Sequence, residues 1–164
     1  MSEKYPLNEL KSEALQIEKQ LKSVFQRYKK KNKKMLDTIV HELHEKSFRN
    51  IDCLDCGNCC RHLGPGIKET DIDILSKHFK IKPKEFIDRY LIIDEDNDFV
   101  FNAMPCPFLG DDNYCHVYEV RPKACREYPH TDRNKIIQIS DVIILNNKIC
   151  PASLYVSRNL IVMG

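Results

Sequence analysis

Leu7, Leu10, Ala14, Ile17, Leu21, Val24 and Tyr28 recur at alternating steps of three and four, the apolar stripe of an amphipathic helix. The stripe loses phase across Lys29, Lys30, Lys31, Asn32, Lys33 and Lys34, then resumes with Leu36, Ile39, Val40 and Leu43. This pattern predicts a helical hairpin broken near Asn32, with lysines favourably placed at the negative end of the first helix. A single long helix with a slipped register is the alternative. Further along, Thr70 and Asp73 are spaced as a capping box ahead of Ile72, Leu75 and Phe79. Pro83 suits the first position of another helix, whose buried face is Phe86, Ile87, Tyr90 and Leu91. Phe99 to Met104 reads as a strand, and Arg121-Pro122 opens a short helix that ends before Pro129. Lys135 to Leu145, rich in isoleucine and valine, predicts a strand, with a short helix from Asp141 as the alternative. Cys150-Pro151 opens the last helix.

At 164 residues the chain has the size of one compact domain. Its 26 Lys and Arg nearly cancel 24 Asp and Glu, so no net field draws it wholesale to nucleic acid or an anionic membrane. The lysine run has no aromatic stacking platform beside it and reads as a solvated face, which argues against nucleic acid as a partner. MSEKYPLNELKSE carries charges where a signal peptide needs an apolar core, and no apolar run approaches the ~20 residues of a membrane span. A cytoplasmic protein is expected. In that compartment thiols stay reduced, so the 8 cysteines point to metal rather than to disulfides.

The densest chemistry is Cys53, Cys56, Cys59 and Cys60, spaced C-x2-C-x2-C-C. Two-residue spacers let successive thiolates turn toward one centre, and Gly57 and Asn58 permit the positive backbone angles of a tight wrap, leaving amides to face sulfur. C-x2-C pairs serve tetrahedral zinc. Three cysteines at this spacing with a distant Cys-Pro serve a cubane iron-sulfur cluster, and both Cys106-Pro107 and Cys150-Pro151 are present. Cys115 and Cys125 complete eight thiolates, enough for two four-ligand centres or for one centre with thiols to spare. His62, His116 and His130 are replacement ligands expected to lie outside the first coordination shell, and Arg61, Arg121 and Arg126 flank the cysteines as counter-charges or anion binders. Tyr118 and Tyr128 offer hydroxyls nearby.

Two other metal patterns fail. Counting Asp94 as first in a calcium loop puts Phe99 where glycine is needed and Pro105 where a bidentate glutamate is needed. His41 and His44 are three apart where a zinc-protease helix needs four, and they read as surface residues. No nucleophile with its base, carboxylate pair or phosphate-binding glycine loop is identifiable, so only the metal itself argues for catalysis.

The run C-x2-C-x2-C-C, then Cys106-Pro107-Phe108-Leu109, Cys115-His116-Val117-Tyr118-Glu119-Val120-Arg121-Pro122, Cys125-Arg126-Glu127-Tyr128-Pro129 and Cys150-Pro151 resembles the bacterial cysteine-cluster family of zinc- or iron-chelating proteins. The resemblance spans Cys53 to Pro151 and places all eight cysteines on positions of the family pattern. It implies metal chelation, and family members are described as iron-sulfur oxidoreductases. A similar pattern in flagellin lysine N-methylases implies methyl transfer, for which the remaining residues supply no motif. The combined expectation is an α+β fold. A helical hairpin over residues 1–50 belongs to the same compact unit as a small, irregular, metal-stapled cysteine-cluster domain over 51–164 with short strands. Its cofactor is an iron-sulfur cluster, which the spacing favours, or zinc. The functional alternatives are a redox iron-sulfur protein, a zinc-stabilised interaction module without enzymatic activity, and a chelator for metal storage or delivery.

Overall fold

The structure is a computed structural model, and it describes residues 6–164. In chain order these form α1 (Leu10–Lys31), α2 (Lys33–Phe48), α3 (Cys53–Cys56), α4 (Asn58–His62), α5 (Glu69–Phe79), α6 (Pro83–Tyr90), β1 (Leu91–Ile93), β2 (Phe99–Phe101), α7 (Lys123–Glu127), α8 (Ser140–Asn146) and α9 (Pro151–Met163). Short 3-10 turns occupy Tyr118–Val120 and Ile136–Ile139. Among the described residues the fold is mostly helical with one two-stranded antiparallel sheet, which agrees with α+β. No described helix is long and apolar enough to cross a membrane. The chain divides into two compact units, one running up to Cys56 and resuming from Pro129 to Gly164, the other Gly57–Tyr128.

The first unit is a helical bundle. Asn32 interrupts the long stripe in an extended conformation, and its side chain accepts from the amide of Met35, so it ends α1 and caps α2. Leu21, Val24 and Phe25 of α1 then meet Leu36, Ile39, Val40 and Leu43 of α2, Ile143 and Ile144 of α8, and Val156 and Leu160 of α9. Leu10 and Ala14 pack on Leu154 nearby. The segment Lys135 to Leu145 is not a strand. It forms a 3-10 turn and then α8, close to the helical alternative from Asp141. The carboxylate of Asp37 accepts from the amides of Lys135 (2.8 Å) and Ile136 (2.9 Å), so a residue on α2 fixes the start of this segment. The β-branched run then buries Ile136, Ile143 and Ile144 on one helical side.

The second unit packs α5 and α6 against a β-hairpin around an aromatic core of Phe79, Phe86, Tyr90, Phe101 and Phe108. Pro83 opens α6 at its first turn as the sequence predicts. Strand β2 covers Phe99–Phe101, shorter than predicted, and pairs Leu91 with Phe101. Asp94 makes the connecting turn, accepting from the amides of Asp96 (3.0 Å) and Asp98 (2.9 Å), which is the solvated turn preferred over a calcium loop. The predicted capping box on Thr70 and Asp73 is displaced. Helix α5 starts at Glu69, and Asp71 accepts from the amide of Lys68 at 3.1 Å. A lysine side chain has no acceptor to return the bond, so the box is half made.

Candidate metal centre

Cys53 and Cys56 lie on the single turn of α3, which Asp52 starts by accepting from the amide of Leu54 at 2.9 Å. Gly57 then takes a left-handed conformation (φ 55°) and caps α4. A Cβ at Gly57 meets Asn113 side-chain atoms at 3.3 Å, so glycine serves both the turn and the close approach. Asn58 is already helical and buried. The run is therefore two short helices joined at one glycine, and of Gly57 and Asn58 only Gly57 takes a positive angle.

Cys59 and Cys60 follow on α4, within the second unit, with their sulfurs 3.9 Å apart. The amide of Cys106 donates to the carbonyl of Cys60 at 2.8 Å, which brings the Cys106-Pro107-Phe108 segment beside α4. Phe108 anchors that segment in the aromatic core. Leu109 bridges to Cys115, and the amide of His116 donates to the carbonyl of Phe108 at 2.9 Å, closing a loop whose tip is Asn113 in the left-handed region. Arg61 donates to the side chain of Asn113 and ties that tip back to α4. Cys125 sits on α7, its amide donating to the carbonyl of Pro122 at 3.0 Å.

These thiols share one electrostatic environment. The hydrogen bond between the Cys59 and Cys60 sulfurs is the main influence drawing Cys60 down to about 7 against its burial, and Arg61 acts in the same sense. Burial pushes Cys106 up to about 11 and Cys125 up to about 12, and each is raised further by Cys60 and Cys115. Cys115 is raised by burial and by Cys60. Amides oppose these shifts where they face sulfur, those of Phe108 and Leu109 at Cys106 and that of Val117 at Cys115. Arg121 favours the thiolates of Cys115 and Cys125. Its guanidinium lies 3.8 Å over the Tyr118 ring and donates to the carbonyl of Tyr118 at 2.6 Å.

The first unit holds the other three cysteines. Cys150 caps α9 and is pushed up to about 12, chiefly by burial, while the amides of Ser153 and Ala152 pull it down and Cys53 and Cys56 add to the rise. All eight cysteines are thiols rather than disulfides.

Thiols grouped with amides directed at sulfur and guanidinium charge beside them fit a soft or borderline metal chemically. Among the described residues, no three Cys, His, Asp or Glu side chains already stand around a common point. The three histidines considered as replacement ligands occupy different places. His62 is bonded through Nδ1 to the carbonyl of Asn58 at 2.9 Å, His116 is exposed against Gly110, and His130 belongs to the first unit. Sequence reading missed Asp71 and Asn113, and it placed His41 and His44 on the surface. Both histidines are half-buried, and they hydrogen-bond the carbonyl of Arg133 and the hydroxyl of Thr131, each at 2.8 Å.

A donor set of this kind suits a metal-chelating domain. The chain belongs to the CxxCxxCC family: the family's sequence profile, described as "Putative zinc- or iron-chelating domain", matches residues 52–151 and so includes every cysteine. No significant match is found among curated proteins or among solved structures.

Proposed function

We propose that the protein chelates zinc or iron on a four-thiolate centre made by Cys60, Cys106, Cys115 and Cys125. The observation that carries this reading is their grouping: four thiols from separate loops and short helices of one unit, each within reach of the others' charge, with amides turned toward two of them. Four sulfurs suit tetrahedral zinc, which needs no redox partner and stabilises whatever surface those loops form. The hydrogen bond between the Cys59 and Cys60 sulfurs favours Cys60 as a thiolate ligand. Arg61 and Arg121 offset the negative charge of the assembled thiolates, and Cys53, Cys56 and Cys150 lie in the other unit.

An iron-sulfur cluster is the second reading, favoured by the C-x2-C-x2-C spacing with a distant Cys-Pro. A bound cluster would supply one-electron transfer, whereas zinc would supply structure alone. Anaerobic purification with metal and sulfide analysis and a visible spectrum separates them. The four-thiolate reading expects stoichiometric zinc in a colourless protein, lost in Cys60→Ser and Cys125→Ser. Brown protein with iron and sulfide in step selects the cluster. Full-length protein that carries neither metal and takes up neither on reconstitution overturns chelation.

A further inference from the structure

We propose that Asp71 is a positioning residue for the thiolate centre, holding Cys125 in place by accepting the backbone amide that opens α7. The inference rests on the reading of Cys125 as a ligand. Helix α7 buries none of its own residues, so apolar packing does not locate it. Its first amide, that of Lys123, donates to Asp71 Oδ1 at 2.9 Å. The other carboxylate oxygen accepts from the amide of Lys68 at 3.1 Å, at the start of α5. Asp71 is only 2% exposed, and α5 is locked in turn by Ile72 and Leu75 in the aromatic core. One buried carboxylate thus spans the starts of two helices, the first carrying the core and the second carrying the cysteine.

A cap for α5 needs a single oxygen. Here the second goes to an element 52 residues further along the chain. Both bonds are charge-assisted, which makes them stronger and geometrically stiffer than neutral ones. Cys125 lies in the same turn as Lys123, with the amides of Cys125 and Arg126 both closing on the carbonyl of Pro122, so a shift of the Lys123 amide carries the thiol with it.

The test uses the full chain, zinc competition against a chromophoric chelator, and the thiolate-to-metal charge-transfer band of the cobalt(II)-substituted protein. Asp71→Asn removes one acceptor, and Lys123→Pro deletes the donor while leaving the α5 cap intact, proline being tolerated at a first helical position. Lys123→Ala keeps the amide and serves as the control. Both test variants are expected to weaken zinc binding about 10–100-fold and to lower the charge-transfer intensity, with Lys123→Ala near wild type. Should Asp71→Asn fail to fold, Lys123→Pro carries the comparison. Wild-type affinity and spectrum in the test variants, alongside a clear loss in Cys125→Ser, would show Asp71 to be a helix cap only. Undiminished zinc binding by Cys125→Ser removes the ligand itself, and overturns the four-thiolate reading together with the role of Asp71.

Discussion

His44 shows how one residue's surroundings set a measurable property. Its ring packs against Phe48 (centroids 4.6 Å apart) and bonds Thr131, which is fully buried. Burial holds its pKa below the ordinary value, with His41 acting in the same sense and Asp132 and Glu45 opposing. The folded state therefore prefers neutral His44, and the unfolded chain binds the proton more readily. That contribution to stability is complete above the unfolded pKa and is lost as pH falls through it toward the lower folded value. Urea midpoints measured at pH 7.5 and stepwise below 6.5 are expected to fall for the wild type and to fall less for His44→Gln. Parallel curves for the two proteins would remove His44 as the source.

At the scale of elements, α2 works as a rack. Asp37, His41 and His44 stand at one-turn spacing on the same side of the helix and bond, in order, the amides of Lys135 and Ile136, the carbonyl of Arg133, and Thr131. Asp37→Ala strips two amides of a charged acceptor and is expected to cost about 1.5–3 kcal/mol, read from denaturant unfolding. Protection of the amides of Lys135 and Ile136 against hydrogen exchange should fall in the same variant.

This rack also explains where reading the sequence stops. Asn32, Pro83 and Pro151 act on their immediate neighbours, so the breaks and starts they make are legible in the chain. The isoleucine-rich run from Lys135 is governed by a carboxylate 98 residues away, and its local pattern of branched residues points to a strand that has no partner. Asp71 is illegible for the same reason, since its second bond reaches across the chain to Lys123. The cysteines are the opposite case. Their spacing marks them as candidates without help from the fold, whereas the amides and arginines around them become visible only once the loops are placed.

For the whole molecule, the two units bury different kinds of interior, and this decides what metal removal should do. The first has an extended aliphatic core in which Leu21, Leu36, Val40, Ile143 and Leu160 interlock across four helices. In the second, α5, α6 and the β-hairpin share the aromatic core, but the loops bearing Cys106, Cys115 and Cys125 are held by few buried side chains. Between Cys106 and Glu127 only Phe108, Val117 and Pro122 are buried. With the proposed four-thiolate centre, metal binding in such a segment contributes folding free energy. Hydrogen exchange with and without a strong chelator is therefore expected to be uneven. Amides of residues 106–127 lose protection first, α5 and α6 lose less, and the core amides of α1, α2 and α9 are unchanged. Chelator-independent protection throughout 106–127 would mean that hydrogen bonds such as Cys106 to Cys60 and Lys123 to Asp71 already suffice to hold those loops.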